Sequence, residues 1–261
     1  MKGLKTALIT GASSGIGEAF ASALAVEGLD LILVARSEDR LKALAKQLAE
    51  VHSRRVEVVS ADLTHPGAAQ KIHAAATALQ MPVDLLINNA GFGTVGAFAK
   101  QDAARERDEV LLNAAAVVDM AHAFVPDMLA RKRGGIINVA SMAAFQPLPY
   151  MTVYAATKAF VLAFSEGLRG EIGRKGVKVL CVCPGPVDTP FFEATGSPGL
   201  RGTIPSPMMI GAEQVVSESL KAFRAGRPVV IPGVANKLVA AGTRLVPRRL
   251  VTAMTARFMK R

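Results

Sequence analysis

Short apolar runs alternate along this chain with longer segments whose apolar residues recur at helical spacing. The runs over 4–10, 29–35, 55–60, 83–88, 135–140, 177–183 and 229–231 read as strands. Amphipathic helices are expected over 16–27, 38–51, 66–79, 102–131, 152–175 and 212–224. Strand followed by helix, six times over, predicts an α/β fold: a doubly wound, parallel, seven-stranded sheet covered on both faces. The strands are nearly continuous apolar runs, as burial on both faces requires. Ser37 followed by Glu38 and Asp39 is the clearest helix start.

Ligands of such sheets bind beyond the carboxyl ends of the strands, near the switch in strand order. The distinctive residues fall there. Gly11 to Gly17 follow the first strand, Arg36 the second and Asp62 the third; Asn88 to Gly91 follow the fourth, Ser141 the fifth and Pro184 to Thr189 the sixth. Six marks at one edge are hard to explain by chance.

A chain of 261 residues fits one large domain, 1–233, with an extension over 234–261. Charged residues interrupt the apolar runs, so no stretch is expected to span a bilayer. The first strand begins at once, which argues against a signal peptide. Cys181 and Cys183, two apart on one strand, share a face and read as buried structural thiols in a reducing cytoplasm. His52, His65, His73 and His122 lie far apart without ligand spacing, and no metal site is expected. The net charge is +10, but residues 236–261 carry seven basic residues and no acid. The remainder has 24 basic against 21 acidic residues, or +3. With no recognition motif and few aromatics, nucleic-acid binding is not expected.

Glycines between a strand and a helix let the backbone turn tightly and approach a pyrophosphate, which the helix N-terminus then holds. Gly11, Ser13, Ser14, Gly15, Ile16 and Gly17 are therefore candidates for a dinucleotide loop. After the second strand stand Arg36, Ser37 and Arg40, where an acid would favour the ribose hydroxyl of NAD. Guanidinium groups there welcome a 2′-phosphate, so NADP is favoured and NAD is less expected. Tyr154 and Lys158, four apart, share one helix face. A neighbouring ammonium should bring the phenol's pKa down toward proton-transfer range. Ser141 lacks the Gly-x-Ser-x-Gly elbow of a hydrolase nucleophile.

Taken together, Thr10-Gly11-Ala-Ser-Ser-Gly15-Ile-Gly17, Asp62-Leu63, Asn88-Asn89-Ala90-Gly91, Asn113, Ser141, Tyr154-Ala-Ala-Thr-Lys158 and Pro184-Gly185-Pro-Val-Asp-Thr189 resemble the short-chain dehydrogenase/reductase family. The resemblance covers about 5–233 and is nearest the bacterial branch grouped as DltE-like oxidoreductases. It implies a Rossmann fold and a catalytic set of Asn113, Ser141, Tyr154 and Lys158. Tyr154 would be the acid in reduction and the base in oxidation, and Lys158 would lower its pKa and bond the nicotinamide ribose. Ser141 would hold the substrate oxygen, and the Asn113 backbone carbonyl would hold a water that relays protons to Lys158. Asp62 and Leu63 would flank the adenine, and Asn88, Ala90 and Gly91 would shape its pocket, with Asn89 supporting the sheet. Pro184, Gly185, Val187 and Thr189 would seat the nicotinamide. Family members are commonly homodimers or homotetramers built on the helices expected over 102–131 and 152–175.

Ala143, Phe191 and Phe192, with Ser141 and Tyr154, are expected to contact substrate. The Pro/Gly-rich stretch over 187–210 reads as a lid. Its apolar side chains suggest an apolar ketone or aldehyde, or the matching alcohol. A redox-sensing binder of NADP(H) and an epimerase or dehydratase on the same fold are the alternatives. The former has no need of a proton donor, and the latter needs a larger sugar-binding region. Beyond 233 the chain departs from the family pattern in a basic amphipathic segment that Pro247 divides into two helices. It suits packing, oligomer contact, or a peripheral membrane surface.

Overall fold

The computed structural model of the chain describes residues 3–259. Lys260 and Arg261 of the basic tail lie outside the described residues, as do the side chains of Pro198, Arg244, Leu245 and Phe258. Seven strands, β1 (Thr6–Thr10), β2 (Asp30–Ala35), β3 (Val56–Ser60), β4 (Leu85–Asn88), β5 (Gly134–Val139), β6 (Val177–Val182) and β7 (Val229–Val230), form one sheet. All pairings are parallel, in the order β3-β2-β1-β4-β5-β6-β7. The helices are α1 (Gly15–Val26), α2 (Glu38–His52), α3 (Ala68–Ala78), α4 (Ala103–Val110), α5 (Ala116–Ala130), α6 (Thr152–Ile172), α7 (Phe191–Ala194), α8 (Ala212–Arg224), α9 (Val234–Leu245) and α10 (Arg248–Met259). The expected doubly wound parallel sheet of seven strands is the one observed.

Successive side chains of a strand point to opposite faces, and that sorts the core into two layers. Ala7 and Ile9 of β1 join Phe20 and Leu24 of α1, Leu41 of α2 and Leu220 of α8. Leu8, between them, joins Ile72 of α3 and Met120, Phe124 and Met128 of α5. Full burial of each such side chain contributes about 1.5–3 kcal/mol. At Gly135 a Cβ would stand 2.2 Å from the Phe223 ring, so α8 can bring that aromatic onto β5 only over a glycine.

Three local readings change. The helix expected over 102–131 is interrupted by a π turn, Leu111–Ala115, between α4 and α5. The run from 103 to 130 is also long and apolar enough to cross a membrane, contrary to the expectation that charges break every such stretch. Here it packs Met120, Phe124 and Met128 onto the sheet. Ser37 precedes α2 but makes no capping bond with its side chain. It lines the cavity described below instead.

Candidate active site

β1 and β4 are neighbours although β2 and β3 intervene in sequence, so the chain switches direction across the sheet at this point. Connections leaving β1 and β4 toward opposite sides open a crevice at their carboxyl ends. The Thr10 hydroxyl closes its floor: it donates to the Ile87 carbonyl and accepts from Asn89 N–H at 3.0 Å and Ala90 N–H at 3.1 Å. Asn89 Nδ2 donates to the carbonyls of Thr10 and Gly11, matching its expected supporting role.

Above this floor lies a cavity of about 1290 Å³. Gly11, Ser13, Ser14, Gly15 and Ile16 line one end of it, and α1 begins there with no side-chain cap on its first N–H groups. Gly11 and Gly15 have φ of +65° and +58°, the left-handed region that glycine adopts without strain. Gly17 lies behind the loop, where a Cβ would be 2.2 Å from the Gly11 carbonyl oxygen. Its part is helix–strand packing. Asn88 also stays out of the cavity: its side chain is buried and donates to Asn138 Oδ1 at 2.9 Å, tying β4 to β5. Of the residues assigned to the cofactor, Gly17 and Asn88 thus reach the cavity only through others.

Arg36, Arg40, Asp62 and Leu63 line the same end. Arg36 Nη1 lies 3.8 Å from Asp62 Oδ2. Burial would raise the Asp62 carboxyl, but bonds from Thr64 N–H and Oγ1 and the Arg36 charge hold it below its ordinary value. Uncapped helix N–H groups, a glycine cradle and two guanidinium groups, with no acid at the end of β2, fit a dinucleotide bearing a 2′-phosphate.

The middle of the cavity holds Ser141, Tyr154 and Lys158, with Ala90, Gly91, Pro184, Gly185, Val187 and Thr189 around them. Ser141 follows β5 and accepts from Ala143 N–H at 3.1 Å. Its hydroxyl also acts on the Tyr154 phenol, favouring the ionised form. Lys158 Nζ donates to the Val139 carbonyl at 3.0 Å and sits 5.7 Å from the Tyr154 ring centroid. The expected lowering of the phenol's pKa is absent. Burial pushes Tyr154 up to about 12, outweighing the influence of the Ser141 hydroxyl, and pushes Lys158 down to about 8. Desolvation of both groups exceeds what the ammonium does for the phenolate.

Asn113 lies in the π turn behind this group. Its Oδ1 accepts from Phe92 N–H at 3.1 Å, while Nδ2 donates to the Phe92 carbonyl at 2.8 Å and to Thr157 Oγ1 at 3.2 Å. One turn earlier, Glu109 is fully buried and accepts from Thr94 Oγ1 at 2.8 Å, with its other oxygen unpartnered. Desolvation raises this carboxyl from 4.5 to about 7. Glu109 and Asn113 together hold the 92–94 segment, whose Gly93 packs so closely that a Cβ would lie 3.0 Å from the Tyr154 ring. Sequence reading passed over Glu109, because a Glu among Arg and Asp on a helix looks solvated.

The far end of the cavity is apolar. Phe191 meets the Tyr154 ring at 5.5 Å between centroids and packs with Ala143, Leu148, Met151 and Leu200. The 187–210 segment is pinned at its base by Val187 pairing with Ile210. Arg201 bonds Asp188 across it, and Arg105 donates to the Ala194 carbonyl. Val239, Met254, Thr255 and Met259 from α9 and α10 complete the wall. Thr255 Oγ1 donates to the Pro147 carbonyl at 3.3 Å. Asn236, fully buried, donates to the carbonyls of Met208 and Pro232 and packs on Gly185. The extension therefore covers its own chain's cavity, a placement its amphipathic pattern left open.

The family model described as short chain dehydrogenase matches residues 5–198. An oxidoreductase of Staphylococcus epidermidis with uncharacterised activity is 36% identical over 191 residues, covering 73% of this chain and 81% of that protein. A short-chain dehydrogenase of Sphingobium yanoikuyae, solved in complex with NADPH, superposes with a TM-score of 0.83 at 35% identity, covering 93% of this chain and 94% of that one. The bulky-bulky ketone specific alcohol dehydrogenase of Comamonas testosteroni gives a TM-score of 0.78 at 35% identity, with 93% of each chain covered.

Proposed function

The chain belongs to the short-chain dehydrogenase family, and we propose that it is an NADP(H)-dependent oxidoreductase interconverting an apolar ketone or aldehyde and the matching alcohol. One observation carries the reading: Ser141, Tyr154 and Lys158 line one cavity together with the glycine loop, Arg36 and Arg40 and the apolar side chains of Phe191 and Phe192. Bound in that cleft, the dinucleotide supplies or accepts the hydride. Gly11 to Ile16 and the start of α1 hold its pyrophosphate, and Arg36 and Arg40 hold the 2′-phosphate. Thr189, Pro184, Gly185 and Val187 seat the nicotinamide end.

Ser141 Oγ and the Tyr154 hydroxyl grip the substrate oxygen. With its pKa pushed up to about 12, the phenol keeps its proton throughout the neutral range and stands ready to donate it to a developing alkoxide. Lys158, one turn on, supplies positive charge as that proton leaves, and the Asn113 carbonyl in the π turn lies on the route for its replacement. Phe191, Phe192 and the methionines of the extension exclude water and receive the apolar part of the substrate. The bulky ketone named for the Comamonas enzyme agrees with a chamber of this kind. The chain works in the cytoplasm, where Cys181 and Cys183, buried with their sulfurs 3.8 Å apart, stay reduced. It pairs with copies of itself through the exposed sides of α5 and α6.

Parallel titration with NADPH and NADH, then turnover on ketones running from polar to apolar, tests the reading. Tighter NADPH binding, with turnover that is greatest on apolar ketones and vanishes in Tyr154→Phe, is expected. NADPH binding with no turnover on any ketone would favour a sensor, and a preference for NADH would overturn the assignment of Arg36.

A further inference from the structure

The two helices of the extension have a second face that the cavity leaves almost entirely unused. Their inner sides are fixed: Asn236 and Ala240 of α9 and Val251 of α10 are buried. On the outer sides, Val234 and Leu238 stand one turn apart on α9, with Leu250 and Met254 one turn apart on α10. These four are 71%, 69%, 56% and 69% exposed. Exposed single apolar residues are ordinary, but paired stripes on two consecutive helices are not. Arg248, Arg249 and Arg257 are exposed on the same helix as Leu250 and Met254. Lys237, on α9, pairs with Glu218 at 3.0 Å.

We propose that this outer face docks on an anionic lipid bilayer, setting the mouth of the substrate cavity against the membrane. Charge selects this occupant. Arg248, Arg249 and Arg257 are exposed on α10 and residues 236–261 hold no acid, so pairing the face with a second copy of itself would set like charge against like. Anionic headgroups supply the missing charge, and the apolar stripes enter the boundary of the acyl chains. Two 12-residue helices lie in the interface rather than cross it, since a crossing needs about 20 apolar residues. Met254 belongs to both surfaces, exposed outside and lining the cavity mouth. An apolar substrate dissolved in the bilayer would then enter without crossing water. That last step rests on the proposed reductase activity; the docking itself does not.

Co-sedimentation of the full chain with phosphatidylcholine vesicles, and with vesicles in which about a third of the lipid is phosphatidylglycerol, tests the docking without cofactor or substrate. Binding to the anionic vesicles at least about tenfold tighter than to the neutral ones is expected, falling steeply with salt. The Arg248→Gln/Arg249→Gln/Arg257→Gln variant should bind roughly a hundredfold more weakly, since each basic residue near such a surface is worth about a factor of five. Leu238→Ser/Leu250→Ser should also lose binding while keeping turnover on a water-soluble ketone. Equal binding to both vesicles, no binding, or a salt-insensitive dimer that Leu238→Ser/Leu250→Ser dissociates would each overturn the proposal. Turnover on the soluble ketone is read separately, so a failure of the reductase reading stays distinct.

Discussion

Replacing Glu109 by Gln should make the protein more stable above neutral pH and leave it unchanged in mild acid. The carboxyl is fully buried, with one oxygen bonded to Thr94 and the other unpartnered. Glu106 on its own helix and Lys158 and Tyr154 on α6 are the charged or titratable groups that act on it or feel it. Desolvation is the largest influence and lifts its pKa from 4.5 to about 7. Between those values the folded chain holds a proton that the unfolded chain has released, so stability falls as pH rises through the window. At about 1.4 kcal/mol per unit, the loss approaches about 3 kcal/mol by pH 8. Gln can place its carbonyl oxygen on Thr94 just as the protonated acid does, but it cannot ionise. Melting curves of both proteins from about pH 4 to pH 8 should coincide at the acid end and separate by roughly 6–12 °C at the alkaline end. Parallel curves, with a constant difference at every pH, would refute the claim that Glu109 is folded as the neutral acid.

Tyr154→Phe should lower turnover by a factor of about 10² to 10⁴ while NADPH still protects against melting, because the phenol's main part is proton donation and the glycine loop and arginines would supply most of the dinucleotide binding. Arg36→Ala should weaken NADPH by about tenfold and leave NADH nearly unchanged, as read by paired titrations; equal losses would place the guanidinium elsewhere. Gly17→Ala should unfold the loop or abolish cofactor binding, because its Cβ would fall 2.2 Å from the Gly11 carbonyl oxygen, a backbone atom that cannot swing aside. Asn236→Ala should cost about 1–3 kcal/mol of stability in denaturant melts. It should also raise KM for bulky ketones more than for small ones, since it frees the Met208 carbonyl in the wall of the chamber.

Much of this molecule is written locally. The nearly continuous apolar runs of β1, β4, β5 and β6 and the helical spacing between them dictate buried parallel strands with covering helices, because burial on two faces admits little else. Gly11 to Gly17, Arg36 and Ser141 declare their places by following strands, and a parallel sheet gathers strand ends at one edge, while Tyr154 and Lys158 declare theirs by sharing one helix face. Pro247 likewise separates α9 from α10, because it disfavours helix in the residue before it. Other features depend on segments far apart in sequence. Tyr154 looked like a phenol activated by its lysine, but the walls supplied by Gly93 and Phe191 bury it, and desolvation reverses the direction of its pKa. Glu109 looked solvated until Thr94 and α6 closed over it. The 102–131 helix contains a π turn that no spacing announced, and Asn113 lies in it. The extension could have met a partner, a membrane or its own body; its inner face is settled by Asn236 reaching Met208 and Pro232, and Thr255 reaching Pro147. Periodicity tells a helix which side is apolar, but what that side meets is decided only when the rest of the chain has folded around it.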